Sequence, residues 1–230
     1  MPKNSHGCIE DYRLEDRGAS DDLLSDRGFL EAFGSACTLL GICLSQRPTE
    51  KEASRARSAI RSVDVARDWP LGGSDALALA ADLIARGVEE DERTLDLEFQ
   101  RLFRGTGMRA AAPFGSVYTD RDQVMYGWTW MELRAWMRMH GIECASCENE
   151  PEDQIGRMLL LCAALASRDS ALIPEFLGRH LMPWAPRFFE LFLGDMRTST
   201  FKGLGVLAQA TLDDACALLG IVPARFRLYR

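Results

Sequence analysis

Five carboxylates between residues 143 and 153 are the side chains of this sequence best suited to hold a cationic group. They are Glu143, Glu148, Glu150, Glu152 and Asp153, and no Lys or Arg lies among them. Carboxylates without a basic neighbour can bind the guanidinium groups of another chain through bidentate, charge-assisted hydrogen bonds. A structural explanation is also open, because Pro151 suits the first position of a helix and acids in a first turn stabilise it.

A second group of residues is apolar and precedes a loop. Leu95, Phe99, Leu102 and Phe103 follow helical spacing and form one stripe that ends at Gly105. Core packing explains the stripe when it is taken alone. The loop that follows ends in Pro113-Phe-Gly115, and such a loop could line a groove because Pro fixes φ and Gly allows close backbone approach.

Three features suggest other chemistry. His140, Cys144 and Cys147 have the spacing of half a metal site, and the two cysteines could also form a dithiol pair. However, no second cysteine pair is near and no βαβ pattern surrounds them. The segment Gly203-x-Gly-x-x-Ala208 imitates a dinucleotide fingerprint, but no strand precedes it, so it predicts helix packing.

The elements that must position these residues have a helical period nearly throughout, with Leu and Ala at the apolar positions. We therefore expect an all-α fold, a single globular domain of about ten helices over residues 25–230, preceded by a flexible acidic arm over residues 1–24. The helix from Val124 to Met139 carries apolar stripes on two faces and is expected to be buried around most of its circumference. The predicted helices span 26–46, 50–67, 74–88, 91–104, 122–140, 151–167, 170–181, 185–196, 199–208 and 211–219.

Composition excludes several classes of protein. The 230 residues carry a net charge of −7, which argues against a nucleic-acid binder and suits a basic partner. The longest uninterrupted apolar run, residues 158–166, is far shorter than the roughly 20 residues of a membrane span, so no stable membrane insertion is expected. The seven cysteines are an odd number scattered through helical sequence, which favours reduced thiols and a cytoplasmic protein.

Three segments, in order, resemble the signature segments of a known family. They are Phe99-x-x-Leu-Phe103 with Gly105, Pro113-Phe-Gly-Ser-Val-Tyr-x-Asp-Arg121, and Glu150-Pro-x-Asp153. Together with His180-Leu-Met-Pro-Trp184, they are similar to the TorD/DmsD family of twin-arginine (Tat) proofreading chaperones. The resemblance is good over residues 95–195 and looser on either side.

This resemblance implies an all-α chaperone, not an enzyme and without a cofactor. The resemblance further implies that this chain binds the twin-arginine leader of a molybdoenzyme catalytic subunit of the dimethyl sulfoxide reductase type and delays Tat export until folding and cofactor insertion. Components of the Tat translocase are further candidate partners. The residues implied in leader binding, or in shaping its pocket, are Phe99, Leu102, Phe103, Pro113, Phe114, Tyr118, Arg121, Gly127, Glu148, Glu150, Asp153 and Gln154.

The sequence departs from the family pattern at Gln154, where a His is usual, and a Gln cannot titrate near pH 7. In this interpretation, Glu148 to Asp153 hold the leader arginines. The apolar stretch of the leader is held by Phe99, Leu102, Phe103, Phe114 and the nearby Trp and Met residues. The substitution Asp153→Ala should then weaken leader binding with little loss of fold. Two alternatives stay open: a chaperone acting mainly on the mature apoenzyme subunit, or a metal or thiol protein using His140, Cys144 and Cys147.

Overall fold

Helices follow one another along this chain because its apolar residues recur with helical spacing. The computed structural model describes residues 8–105, 109–143 and 150–230. Within those ranges the α-helices are α1 Arg17–Leu23, α2 Arg27–Ser45, α3 Lys51–Ser62, α4 Val65–Asp68, α5 Ser74–Arg86, α6 Glu92–Phe99, α7 Ser116–Thr119, α8 Trp128–Met139, α9 Ile155–Arg168, α10 Ile173–Glu175, α11 Ala185–Asp195 and α12 Ser199–Leu218. The strands are β1 Cys8–Glu10, β2 Arg13–Leu14, β3 Ile221–Val222 and β4 Arg225–Phe226.

The centre of the fold is formed by α2, α9, α12 and α5. Helices α2 and α9 pack along each other, while α12 packs against α5 and α11. A Cβ atom on Gly203 would lie 2.8 Å from Cγ1 of Ile84 on α5, so this glycine lets the two helices approach closely. The segment Gly203-x-Gly-x-x-Ala208 thus serves helix packing, as predicted.

The all-α prediction is confirmed, but several helix boundaries differ from those predicted. The predicted helix 50–67 is divided in two, because α3 ends at Ser62 and α4 begins at Val65. Helix α12 is continuous through residues 209–210, where the sequence contains neither Gly nor Pro. Helix α8 begins at Trp128, because Gln123 and Tyr126 have positive φ angles of 50° and 64°, which a helix does not allow. Helix α9 begins after Gln154, so Pro151 and the acids beside it precede the helix.

The structure differs from the predicted flexible arm over residues 8–24. Strand β1 pairs with β4 and β2 pairs with β3, both antiparallel, so this segment is joined to the far end of the chain. The carboxylate of Asp11 lies 2.9 Å from Nη1 of Arg179, and Asp16 caps α1 by accepting a hydrogen bond from the Ala19 N–H. Backbone pairing and these side-chain contacts compensate for the low apolar content of the segment.

Helix α2 spans 19 residues and is long and apolar enough to cross a membrane by length and composition. In the structure it packs against α9, α3 and α12. Its side chains Phe33, Cys37, Leu40 and Leu44 are fully buried in the core. The fold thus uses α2 as a core helix.

Candidate peptide-binding surface

Two of the three signature segments meet in space. The Ile155 N–H donates to the Pro113 carbonyl over 2.8 Å, and the Gly115 N–H donates to the Asp153 carbonyl over 3.0 Å. Phe114 and Gln154 form an isolated antiparallel bridge between these contacts. The loop before α7 and the turn before α9 therefore form one unit, which we call the junction (residues 113–118 and 150–155).

Asp153 lies at the centre of the junction and is buried, with only 4% of its surface exposed. Its Oδ2 accepts a hydrogen bond of 2.7 Å from the Ser116 N–H at the start of α7. Its Oδ1 is buried without a hydrogen-bond partner. Burial raises the pKa of Asp153 to about 6, and the hydrogen bond from the Ser116 N–H offsets only part of this desolvation. This carboxylate is a structural group and is not accessible to a visiting arginine.

Gln154 is the N-cap residue of α9 and joins that helix to α2. Its side-chain oxygen accepts from the Arg157 N–H over 2.9 Å, and its Nε2 donates to the Leu44 carbonyl over 2.7 Å. The residue is buried, so both polar ends of the amide are used inside the fold. A Gln at this position can make these two bonds without any titration near neutral pH.

Glu150 and Glu152 form ion pairs with arginines from other elements. Glu150 lies 2.9 Å from Nη1 of Arg104 and 3.5 Å from Nη2 of Arg157. Glu152 lies 3.2 Å from Nε of Arg134 and accepts a hydrogen bond of 2.6 Å from an indole N–H. The inference that these carboxylates have no partner in the chain is therefore wrong, because all three arginines lie outside the segment of residues 143–153. Glu148 lies outside the described residues.

The predicted apolar contacts are part of the core. Phe99, Leu102 and Phe103 are buried, and the Phe103 ring packs against Phe192 and Phe201 with centroid distances of 5.9 and 6.1 Å. The bottom-up interpretation of this stripe as core packing is confirmed. Because these side chains are buried, they are not available for direct contact with a bound peptide.

Three further members of the predicted set, from the loop before α7 and from α7 itself, are also buried. Pro113 and Phe114 are buried in the junction, and the fully buried Tyr118 donates its hydroxyl to the Ala112 carbonyl over 2.8 Å. The Tyr118 ring stacks on Trp184, with centroids 5.8 Å apart. The segment His180–Trp184, which also carries the family resemblance, therefore packs against the junction through Trp184.

The exposed apolar side chains near the junction lie on the loop of residues 120–127 and the first turn of α8. Val124, Met125, Tyr126 and Met131 are 46%, 46%, 48% and 55% exposed, and we call these four residues the apolar patch. They are four of eleven large hydrophobic side chains exposed in the described part of the chain. A concentration of exposed apolar side chains on one part of a protein surface is typical of a contact site.

Arg121 and Gly127, both in the predicted set, belong to this loop. Arg121 is exposed, whereas Gly127 is buried against Asp120, where a Cβ atom would lie 2.7 Å from Oδ2 of that aspartate. Gln123 holds the loop from the other side, because its Nε2 donates to the Tyr229 carbonyl over 2.9 Å. The loop therefore has a defined conformation while its apolar side chains face solvent.

An aromatic and charged cluster borders the apolar patch. The Tyr126 ring meets the Trp130 ring edge-on, with centroids 4.9 Å apart, and the Arg134 guanidinium lies 5.1 Å from the Trp130 ring centroid. Trp130 Nε1 is the donor that bonds Glu152. These contacts link the patch directly to the second half of the junction.

The expectation that the Met-rich helix is buried around most of its circumference is wrong. On α8 only Leu133, Trp136 and Met137 are buried, while Met131 and Met139 are exposed. Sequence reasoning did not single out Val124 and Tyr126 as surface residues. The available signal was Gly127, which directly follows Val124-Met-Tyr126 and disfavours a continuous helix through this segment.

The metal and thiol alternative gains no support from the described residues. His140 is exposed, and its ring lies 5.0 Å from that of Trp136 between centroids. Cys144 and Cys147 lie outside the described residues. Among residues 8–105, 109–143 and 150–230, no group of three or more His, Cys, Asp or Glu side chains is arranged to hold a metal ion.

Comparisons with known proteins give consistent results. The family described as nitrate reductase delta subunit matches residues 68–190. The chain is 36% identical over 199 residues to a Tat proofreading chaperone DmsD of Salmonella typhi, covering 86% of this chain and 96% of that protein. It is 27% identical over 123 residues to a chaperone protein TorD of Vibrio vulnificus, covering 47% and 57% of the two chains.

Among solved structures, a protein from Archaeoglobus fulgidus described as a redox enzyme maturation protein has a similar fold. The TM-score is 0.50 at 15% sequence identity, and the alignment covers 78% of this chain and 91% of that chain. At this identity the likeness shows the fold alone.

Proposed function

This chain belongs to the TorD/DmsD family of redox enzyme maturation chaperones, and on that premise we propose that it binds the twin-arginine leader peptide of a molybdoenzyme catalytic subunit. The members of this family are chaperones and not enzymes, as the sequence predicts. We further propose that binding takes place in the cytoplasm and holds a dimethyl sulfoxide reductase-like client back from Tat export until its cofactor is inserted.

The observation that carries this proposal is the apolar patch, exposed on a loop that the junction holds in place. A twin-arginine leader is an arginine pair followed by an apolar stretch, so its receptor needs apolar surface beside carboxylates. Met125 and Met131 are flexible and polarisable, and such side chains can adapt to apolar segments of different sequence. We assign the apolar stretch of the leader to this patch.

We assign the leader arginines to the carboxylates at the start of the same loop. Asp122 is exposed and Asp120 is partly exposed, and neither forms an ion pair within the described part of the chain. Asp120 Oδ1 accepts a hydrogen bond of 2.9 Å from the Asp122 N–H. This bond fixes the Asp120 carboxylate against the backbone of Asp122, so both aspartates lie at the start of the loop. Arg121 lies between them, so recognition depends on the individual carboxylates and not on a broad negative field.

The buried members of the predicted set have a positioning role in this proposal. Asp153, Gln154, Phe114 and Tyr118 hold the junction that supports the loop, and Phe99, Leu102 and Phe103 form the core behind it. A leader that becomes ordered on binding loses conformational entropy, at a free-energy cost of a few kcal/mol. This cost keeps the affinity moderate and allows the complex to dissociate. Release suits a chaperone that must pass its client to the translocase.

Calorimetric titration with a synthetic twin-arginine leader peptide, and with the same peptide carrying Lys at both arginines, tests the proposal. We expect saturable binding of the first peptide and weaker binding of the second, because Lys cannot form the bidentate contacts of a guanidinium. Equal binding of both peptides would contradict the carboxylate assignment. Absence of binding to either would contradict leader recognition and favour the mature apoenzyme subunit as the client.

The double variant Met125→Ser, Met131→Ser should weaken leader binding about tenfold or more. In the proposed complex each methionine buries apolar surface, and this burial contributes on the order of 1 kcal/mol to the binding free energy. Both side chains are exposed in the free protein, so the free energy of unfolding should change little. The matched control is serine at Leu79 and Leu97, which are 51% and 58% exposed on α5 and α6. Equal losses in the two double variants would exclude the patch as the binding surface.

Asparagine at Asp122 should weaken binding of the arginine leader about two- to fivefold, the range of an exposed ion pair, and should leave the Lys leader nearly unaffected. The control is Asp21→Asn on α1, where the aspartate is also exposed. Titration of each variant with both peptides separates the two effects. A loss that is the same for both peptides would show that Asp122 does not recognise the guanidinium groups.

A further inference from the structure

A cavity separate from the apolar patch is lined by three arginines. It has a volume of about 440 Å³ and lies between the turn after α6 and the connection from α11 to α12. Arg101, Arg109 and Arg197 contribute the cationic groups, and Asp195 is the acidic residue in its lining. The small side chains of residues 110 and 111 leave space beside the guanidinium groups. In a protein of net charge −7, this is a local concentration of positive charge.

One of the three cations is neutralised within the fold. Arg101 Nη2 lies 2.7 Å from Oε1 of Glu98, and Arg101 Nη1 forms an ion pair with Asp195. Arg101 Nη2 also donates to the Asp195 carbonyl over 2.8 Å. This network fixes one wall of the cavity, and Arg101 neutralises the charge of Asp195.

The other two cations form no ion pair in the described ranges, although the charge of Glu150 acts on Arg109 and that of Glu98 acts on Arg197. Arg109 donates from Nη2 to the Gly105 carbonyl, and its Nε is buried without a hydrogen-bond partner. Desolvation by burial lowers the pKa of Arg109, although the charge of Glu150 opposes this effect. Arg197 is exposed, and its contact with Glu98 is made by its main-chain N–H.

We propose that this cavity binds a phosphate group, either as inorganic phosphate or as part of a small phosphorylated molecule, with Arg109 and Arg197 as the ligands. A guanidinium presents its N–H groups in a planar fork that fits two oxygens of a tetrahedral oxyanion. A bound oxyanion would supply the counter-charge that Arg109 lacks and an acceptor for its orphaned Nε. The cavity is larger than phosphate alone and lies in the size range of small-molecule sites.

Calorimetric titration of the full chain with inorganic phosphate, and separately with pyrophosphate, at constant ionic strength tests this inference. We expect saturable binding of at least one of them, with tighter binding of pyrophosphate if the natural ligand carries more than a single phosphate. Absence of saturable binding of both at millimolar concentration would overturn the inference.

The variants Arg109→Gln and Arg197→Gln should each weaken phosphate binding at least tenfold. Arg86→Gln is the control, since Arg86 pairs with Asp82 on the exposed side of α5 and is not part of the cavity. If Arg109→Gln also lowers the thermal unfolding midpoint, Arg197→Gln decides, because its side chain is exposed and makes no ion pair in the described ranges. Phosphate binding that is unchanged in Arg197→Gln would overturn the assignment. Leader titrations of the same variants should be unaffected, which separates this site from the proposed function.

Discussion

Alanine at Gly156 is expected to lower the free energy of unfolding by about 3 kcal/mol, at the upper end of the usual cost of overpacking. A Cβ atom there would lie 2.7 Å from the Leu44 carbonyl carbon and the Ser45 nitrogen, and 2.8 Å from the Gly41 carbonyl oxygen. These are backbone atoms of α2, so they cannot rotate aside as a side chain can. The two helices would have to separate where Gln154 joins them, and urea denaturation followed by circular dichroism measures the loss.

Gly194→Ala is the matched control for this prediction. Gly194 lies in α11, and a Cβ atom there would meet nothing within 4 Å. Alanine should therefore raise the free energy of unfolding by roughly 0.5–1 kcal/mol through its higher helix propensity. If Gly156→Ala were as stable as Gly194→Ala, the close contact of α2 and α9 in this structure would be contradicted.

The variant Asp153→Asn is expected to stabilise the protein at pH 7 but not at pH 4. The pKa of Asp153 is about 6 in the folded chain against an ordinary 3.8, so between these values the folded state retains a proton that the unfolded state has released. The contribution of this group to stability therefore falls as the pH rises through that window. The loss is on the order of 2–3 kcal/mol by pH 7, since each unit of pKa difference corresponds to about 1.4 kcal/mol.

Asparagine keeps an oxygen that can accept from the Ser116 N–H but cannot ionise, so it avoids this loss. Alanine cannot ionise either, but it lacks the acceptor and leaves that buried N–H unpaired, so Asp153→Ala should be less stable than Asp153→Asn by about 1–3 kcal/mol at every pH. Unfolding curves of the three proteins at several pH values between 4 and 7 measure both effects. A stability difference between Asp153→Asn and the unchanged protein that is constant with pH would show that Asp153 is already ionised without penalty.

This burial changes the expected outcome of Asp153→Ala for leader binding. The sequence suggests a direct contact with arginine and little effect on the fold. The structure predicts the reverse, because the carboxylate is inside the junction and bonds the start of α7. Any weaker leader binding of Asp153→Ala would then follow from a displaced loop, and Asp153→Asn should bind the leader normally.

Helix positions were predictable from the sequence because helical periodicity is a local property. The stripe through Phe99 and Phe103 follows it and is buried, and the predicted helices from 26–46 and 74–88 differ from α2 and α5 by at most two residues at each end. The pairing of β1 with β4 was not predictable in the same way. Each strand has only two or three residues, and its partner lies at the other end of the chain.

The candidate site was predictable only in part, for a similar reason. The family resemblance assigns Pro113 and Asp153 to one binding surface, and the structure brings their segments together. The ion pair of Glu150 with Arg104 joins residues that are far apart in sequence, so a count of charges within residues 143–153 could not detect it. Exposure of Val124 and Tyr126 depends on a loop with positive φ angles, which local periodicity does not encode.

The contacts that hold the loop of the apolar patch also determine when it can form during synthesis of the chain. Gln123 bonds the carbonyl of Tyr229, 106 residues later, and Trp128 packs edge-on against Phe226 at a centroid distance of 5.3 Å. At roughly 5–20 residues per second, the ribosome makes these anchors about 5–20 s after the loop itself. A nascent copy therefore lacks both contacts until β4 and Tyr229 have been synthesised, and the loop is expected to take its described conformation only after that point.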